Sequence, residues 1–232
     1  MECVDHLLGP KYLIISSLII INTLSVHNSA SAQQTDYIEA ALNIQVVDVD
    51  LDFEGSIRTT QFDSLEFELR EQLAENIEGT VHFGYLDVTQ NSNPIFAGTN
   101  TTGGYLGFDL RWHLIKGQQF KLMSLFDYRY AFTDTSYDGQ RIEWDWHQTS
   151  LALHSRTTIS KNFSLGLGVS YLTINGVEKA SGTLNQNLDF KAKDSLTGHI
   201  GLQLELDQDG QIGVELKTGS LQGGMITFQQ SF

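Results

Sequence analysis

From residue 43 to the C-terminus the chain alternates apolar and polar side chains with period two, in segments of about ten residues. Successive side chains of a strand point to opposite faces, so this period specifies strands with one apolar and one polar face. The apolar positions are Val47, Val49, Leu51 and Phe53, then Leu65, Phe67 and Leu69, then Val81, Phe83 and Tyr85. They continue through Leu106, Phe108, Leu110, Trp112 and Leu114, and through Phe120, Leu122, Phe126, Tyr128 and Tyr130. The last sets are Leu165–Tyr171, Ile200–Leu204, Ile212–Leu216 and Ile226, Phe228 and Phe232. Segment 141–154 departs from the pattern: Trp144 and Trp146 have one parity, Leu151 and Leu153 the other. A bulge or change of phase is expected there.

The connections alternate in length. Segments 74–77, 116–118, 156–161 and 207–210 read as short turns. Segments 54–63, 91–102, 133–140, 174–194 and 218–223 read as longer loops rich in Gly, Asn, Ser, Thr and Asp. Within the longest of these, Leu184, Leu188 and Phe190 point to a hairpin extension.

The N-terminus is of a different kind. Residues 12–26 form an apolar run too short to span a bilayer comfortably as a helix, and Ala30-Ser31-Ala32 follows as a small-x-small cleavage pattern. Residues 1–32 are therefore expected to be a secretory signal peptide, a signal anchor being the rival reading. Residues 33–42 are expected to be a periplasmic tail, and 43–232 the folded domain. The single Cys, Cys3, falls in the signal, which leaves the remainder without thiol or disulfide chemistry. Without the signal's Glu2, Asp5 and Lys11 the formal net charge of −14 becomes −13, which disfavours nucleic acid as a partner. No later segment is apolar for the ~20 residues a membrane helix needs, so a membrane location requires strands.

Short turns on one side, long loops on the other and an even strand number satisfy the rules of a closed antiparallel transmembrane barrel. Ten strands fit best, and eight are possible. Tyr85, Trp112, Phe120, Tyr128, Tyr130, Trp144, Trp146 and Tyr171 lie near segment ends, where aromatic girdles belong. With the export signal ending at Ala32 and the final strand MITFQQSF closing on Phe232, the chain resembles the small single-chain outer-membrane β-barrel proteins of Gram-negative bacteria. Gln230 stands where an apolar residue is usual. The resemblance implies location in the outer membrane, contact with its lipid and lipopolysaccharide, and delivery by the barrel-assembly machinery. It implies no cofactor, and it leaves oligomeric state open.

In such a barrel the polar parity faces the lumen. The expected lumenal cluster is Asp48, Asp50, Asp52, Glu66, Glu68, Arg70, Asp109, Arg111, Lys121, Asp127, Arg129, His199 and Glu205. The three aspartates of 48–52 repeat at ~6.6–7 Å along one strand face, a spacing that admits a divalent cation but lacks the glycine-turn loop of calcium sites. Asp145 and His147 share a face and are the one candidate catalytic pair, similar in that single respect to the omptin surface proteases. His154 and Ser155 are adjacent, so they point to opposite faces and are poorly placed to pair. Ser164, Gly166, Gly168 and Ser170 line one face with very small residues and leave space in the lumen. The expected function is a non-enzymatic structural, surface-interaction or minor porin-like role. The alternatives are an outer-membrane protease or lipid A-modifying enzyme, or a soluble periplasmic lipid-binding barrel.

Overall fold

The computed structural model describes residues 38–90, 100–206 and 209–232. The expected signal peptide, the first half of the expected tail and residues 91–99 and 207–208 lie outside these. The strands are β1 (Ile38–Phe53), β2 (Ser56–Ala74), β3 (Ile77–Thr89), β4 (Asn100–Lys116), β5 (Phe120–Tyr137) and β6 (Gln140–Ser160). They continue as β7 (Phe163–Ser181), β8 (Gln186–Ala192), β9 (Leu196–Glu205), β10 (Gly210–Gly219) and β11 (Leu221–Ser231). β1 begins at Ile38, five residues before the start expected from the alternation.

Every pairing is antiparallel, and β11 returns to β1 from Glu39↔Ser231 to Val49↔Leu221, which closes the sheet into a barrel. The ring is not the same size throughout. At the end bearing the chain termini it has ten members, β8 being absent from it. At the far end, β9, β10 and β11 are all absent, their ladders ending near Leu196 and at the turn around Ser220, and β8 takes their place between β7 and β1. Residues 193–195 carry the chain over that turn: Ser220 donates from N to Leu196 O and from Oγ to Asp194 O, at 2.7 and 2.6 Å. Ten strands below thus become eight above.

This change of girth sets what fills the interior. Eight strands enclose a space that side chains just fill. In the upper ring Val47, Leu51, Phe53, Phe62, Trp144, Trp146, Leu172, Ile174 and Phe190 pack as an apolar plug. Phe53, Trp144 and Phe190 meet with ring centroids 5.1–5.5 Å apart, the range of favourable aromatic pairs. The ten-stranded part is wider and encloses a cavity of about 530 Å³.

The outer surface is divided the same way. Below, Ile44, Val81, Phe83, Leu106, Phe108, Leu110, Leu151, Leu167, Val169, Ile200, Leu202, Val214 and Phe228 are exposed around the whole barrel. Above them the outward positions turn polar, as with Asp48, Asp63, Asp134 and Asp145. The barrel is therefore inside-out in its lower half and built like a water-soluble barrel in its upper half.

That inversion corrects several sequence expectations. Val47, Val49, Leu51 and Phe53 are at most 2% exposed and face inward, so Asp48, Asp50 and Asp52 face outward rather than into the lumen. Trp144 and Trp146 belong to the plug and not to a girdle. No bulge accompanies 141–154, since β6 keeps unbroken register with β5 and β7 through it. The chemistry of the two faces exchanges while the backbone alternation continues. Expected loops 54–63, 133–140 and 218–223 are strand extensions joined by tight turns. Glu54-Gly55 and Asp138-Gly139 have φ of 51° and 96°, and of 49° and 75°, the paired positive values of a two-residue hairpin turn. Segment 174–194 is the β7–β8 hairpin.

Candidate functional site

The cavity lies in the ten-stranded part beneath the plug. At its lower end the inward-facing Gln72, Lys121, Thr158 and Glu205 are exposed, so the space opens on the side of the termini. At its upper end Val47, Leu86 and Trp146 block it. It is a blind pocket.

Its walls carry the charged positions on the polar parity. Glu66 of β2 takes Asn43 Nδ2 at 2.9 Å and Arg129 Nη1 at 2.9 Å, and lies 3.1 Å from His82 Nδ1. Arg129 also holds Asp127 at 3.1 Å, and His82 Nε2 lies 3.2 Å from the same carboxylate. The four groups form a closed ring of charge across β2, β3 and β5. Arg70 joins Glu39 and Glu68, and Glu78 receives His113 Nε2 at 2.7 Å and Arg111 at 3.8 Å. Asp109 lies on the same wall, 6% exposed. Hydrocarbon surrounds this level of the barrel, so mutual pairing is what makes these charges tolerable.

A second network occupies the wall formed by β7, β9 and β10. Ser170 Oγ lies 2.8 Å from His199 Nε2, and His199 Nδ1 lies 3.3 Å from Glu215 Oε1. Lys217, directly across the ladder from His199, is 3.7 Å from Glu215 and donates to Gln45 Oε1 at 2.8 Å. The His154 ring stands 5.0 Å from that of His199. It packs over Gly168, where a methyl group would meet His154 Nδ1 at 2.7 Å, so glycine is needed there for the ring to lie flat on the wall. Small residues at 164, 166 and 168 are what let this side of the pocket open.

Of the expected lumenal residues, Glu66, Glu68, Arg70, Asp109, Arg111, Lys121, Asp127, Arg129 and His199 line the pocket, and Glu205 stands at its mouth. Asp48, Asp50 and Asp52 do not. On the outer face Asp50 accepts from Thr59 Oγ1 at 2.7 Å and lies 3.7 Å from Lys193, while Asp52 caps the first turn through Gly55 N at 2.7 Å. Among the described residues no group of three His, Cys, Asp or Glu side chains is placed to hold a metal ion.

Asp145 and His147 are also on the outer face and are not joined. Asp145 receives Tyr130 OH and Lys179 Nζ, each at 3.2 Å, while His147 Nδ1 meets Tyr128 OH at 2.7 Å. They order the aromatic edge of the apolar belt. His154 and Ser155 diverge as alternation requires, Ser155 donating to Leu167 O at 3.2 Å. The Ser170–His199–Glu215 constellation had no local sequence signal, because its members come from three strands.

A closed antiparallel barrel with an outward apolar belt, aromatic edges and a charged lumen is an outer-membrane β-barrel protein in fold. No protein-family model matches the chain, and no curated protein matches it in sequence. Solved structures do resemble it. The β domain of the Bordetella autotransporter BrkA matches with 11% identity and TM-score 0.50, over 86% of this chain and 100% of that one. The translocator domain of autotransporter NalP from Neisseria meningitidis matches with 11% identity and TM-score 0.48, over 95% and 94%. Outer-membrane protease OmpT from Escherichia coli matches with 7% identity and TM-score 0.48, over 88% and 96%. Their stated roles differ, so what they share with this chain is the fold.

Proposed function

We propose that this protein is a closed barrel of the Gram-negative outer membrane with a structural and surface-interaction role, its termini and pocket mouth facing the periplasm. The observation that carries this reading is the plug. Packing of Val47, Leu51, Phe53, Trp144, Trp146 and Phe190 across the upper lumen supports a closed barrel, and a porin-like role would require those side chains to move. Above the membrane the eight-stranded head presents Asp48, Asp50, Asp52, Asp63, Asp134 and Asp189 to the medium, against few cations such as Lys179 and Lys191. That head is the part available to lipopolysaccharide or to an external partner, and its negative charge favours cationic partners or bridging divalent ions. Delivery through the barrel-assembly machinery and a cleaved signal at 1–32 belong to the same reading.

Purified protein reconstituted in a planar lipid bilayer is expected to give no single-channel steps. Its heat-modifiable mobility on a gel shows that the barrel is folded. Regular ohmic conductance from the folded protein overturns the closed-barrel reading.

A further inference from the structure

We propose that the pocket is a hydrolytic site for small acyl esters that carry a negative charge, with Ser170 as nucleophile, His199 as general base and Glu215 as its orienting carboxylate. The proposal stands on the pocket's geometry and its opening toward the termini, and not on the absence of conductance, so it survives if the barrel conducts.

Three roles have to meet within hydrogen-bonding reach for acyl transfer to a hydroxyl: a nucleophile, a base, and a group that fixes the base's tautomer. Here the nucleophile-to-base distance is 2.8 Å and the base-to-carboxylate distance 3.3 Å, through opposite nitrogens of one imidazole. Glu215 accepting from Nδ1–H leaves Nε2 free to take the proton of Ser170. The constellation borders a cavity of about 530 Å³, roomy enough for a small ester. Gly166 beside it has no atom within 3.7 Å of where a side chain would begin.

Attack forms a bond from Ser170 Oγ to the acyl carbon, and the hydroxyl proton moves to His199 Nε2. Collapse breaks the ester C–O bond, and the imidazolium returns that proton to the departing alkoxide oxygen. A water molecule entering from the mouth then repeats both steps on the acyl-enzyme, releasing the carboxylic acid and restoring Ser170. Lys217, across the ladder from His199, adds positive charge to the same wall.

The substrate's charge follows from the adjoining wall. Lys121 and Arg156 are direct cross-strand partners on the inward face of β5 and β6. Like charges so placed repel, and neither makes an ion pair within 4 Å among the described residues. Both stand between the mouth and Ser170, where they would receive an anionic group of the ligand.

The full-length folded protein should be treated with a fluorophosphonate probe and digested for peptide mass spectrometry. In parallel it should be assayed with p-nitrophenyl acetate and with the monosuccinate ester of p-nitrophenol. The expected result is an adduct on Ser170, absent in Ser170→Ala. His199→Gln is expected to lower kcat about 10²–10⁴-fold. Arg156→Gln should raise KM for the succinate ester more than for the acetate, a split that a structural role would not produce. Heat-modifiability of each variant establishes that it is folded. A folded wild-type protein that takes no adduct at Ser170, or whose hydrolysis is unchanged in Ser170→Ala, overturns the proposal.

Discussion

At the residue scale, the charges inside the barrel are fixed by what surrounds them. Arg129 holds both Glu66 and Asp127 in the lumen, and removing it strands two carboxylates and a histidine in a low-dielectric wall. Arg129→Ala is therefore expected to cost about 3–5 kcal/mol, read as a lower temperature for loss of the compact gel band. Asp63 and Asp87 are cross-strand partners on the outer face, above the membrane belt. Partial burial, with Asp63 beside it, holds the Asp87 carboxyl above its ordinary value. The native state then keeps this proton more tightly than the unfolded chain, so stability falls as pH rises through that window. Asp87→Asn should gain a few tenths of a kcal/mol at pH 7 and nothing below about pH 3.5, as urea midpoints at the two pH values would show. Glu54, at φ 51° in the first turn, occupies a conformation that Asn adopts more easily. Glu54→Asn should raise the urea midpoint slightly, and a lowered midpoint would argue against the assigned turn.

At the scale of the strand, the decisive feature is one backbone alternation carrying two opposite chemistries. β6 spans 21 residues, about twice what a tilted membrane strand requires. Its inward positions run Ile142, Trp144, Trp146, then Gln148, Ser150, His154 and Arg156, apolar above and polar below. The outward positions run the reverse way, from Arg141, Glu143 and Asp145 to Leu151 and Leu153. Polarity alone assigns the upper and lower parts of this strand to different faces, which is why a bulge was expected where none exists. β1 misled in the same way at Asp48, Asp50 and Asp52. The plug is the element on which closure depends. Trp144 is 2% exposed and meets Phe53, Trp146 and Phe190. Trp144→Ala should cost about 3–5 kcal/mol through the cavity it leaves. In a bilayer it should also allow intermittent conductance that the wild-type protein lacks. Silent recordings from a folded variant would mean that the remaining side chains close the path without it.

At the scale of the molecule, the exchange from ten strands to eight divides the barrel into an inside-out part and a water-soluble head. The boundary can be tested from outside the cell. Asp50→Cys lies on the exposed face of the head, and Phe83→Cys lies in the apolar belt. A membrane-impermeant maleimide applied to intact cells should label the first and spare the second, with the native chain as the control for Cys3. Labelling of both would place the belt in water and remove the membrane assignment.

The alternation, the segment lengths and the turn chemistry by themselves determined an antiparallel barrel of about ten strands, because period two and backbone hydrogen bonding leave a chain with few other closed solutions. They also determined most of the lumenal charges, such as Glu66, Asp127 and Arg129, since these lie where the outward face is unambiguously apolar. The Glu-Gly and Asp-Gly dipeptides at 54–55 and 138–139 read as parts of longer loops, because the polar outward residues flanking them hide the strands that the two-residue turns join. What only the tertiary structure decided is how the girth changes, which face the upper residues take, and which groups meet in the pocket. Those depend on β8 standing in for β9, β10 and β11 and on register across β7, β9 and β10. Such long-range pairings are chosen by the packing of the whole ring, and no local stretch of sequence contains them.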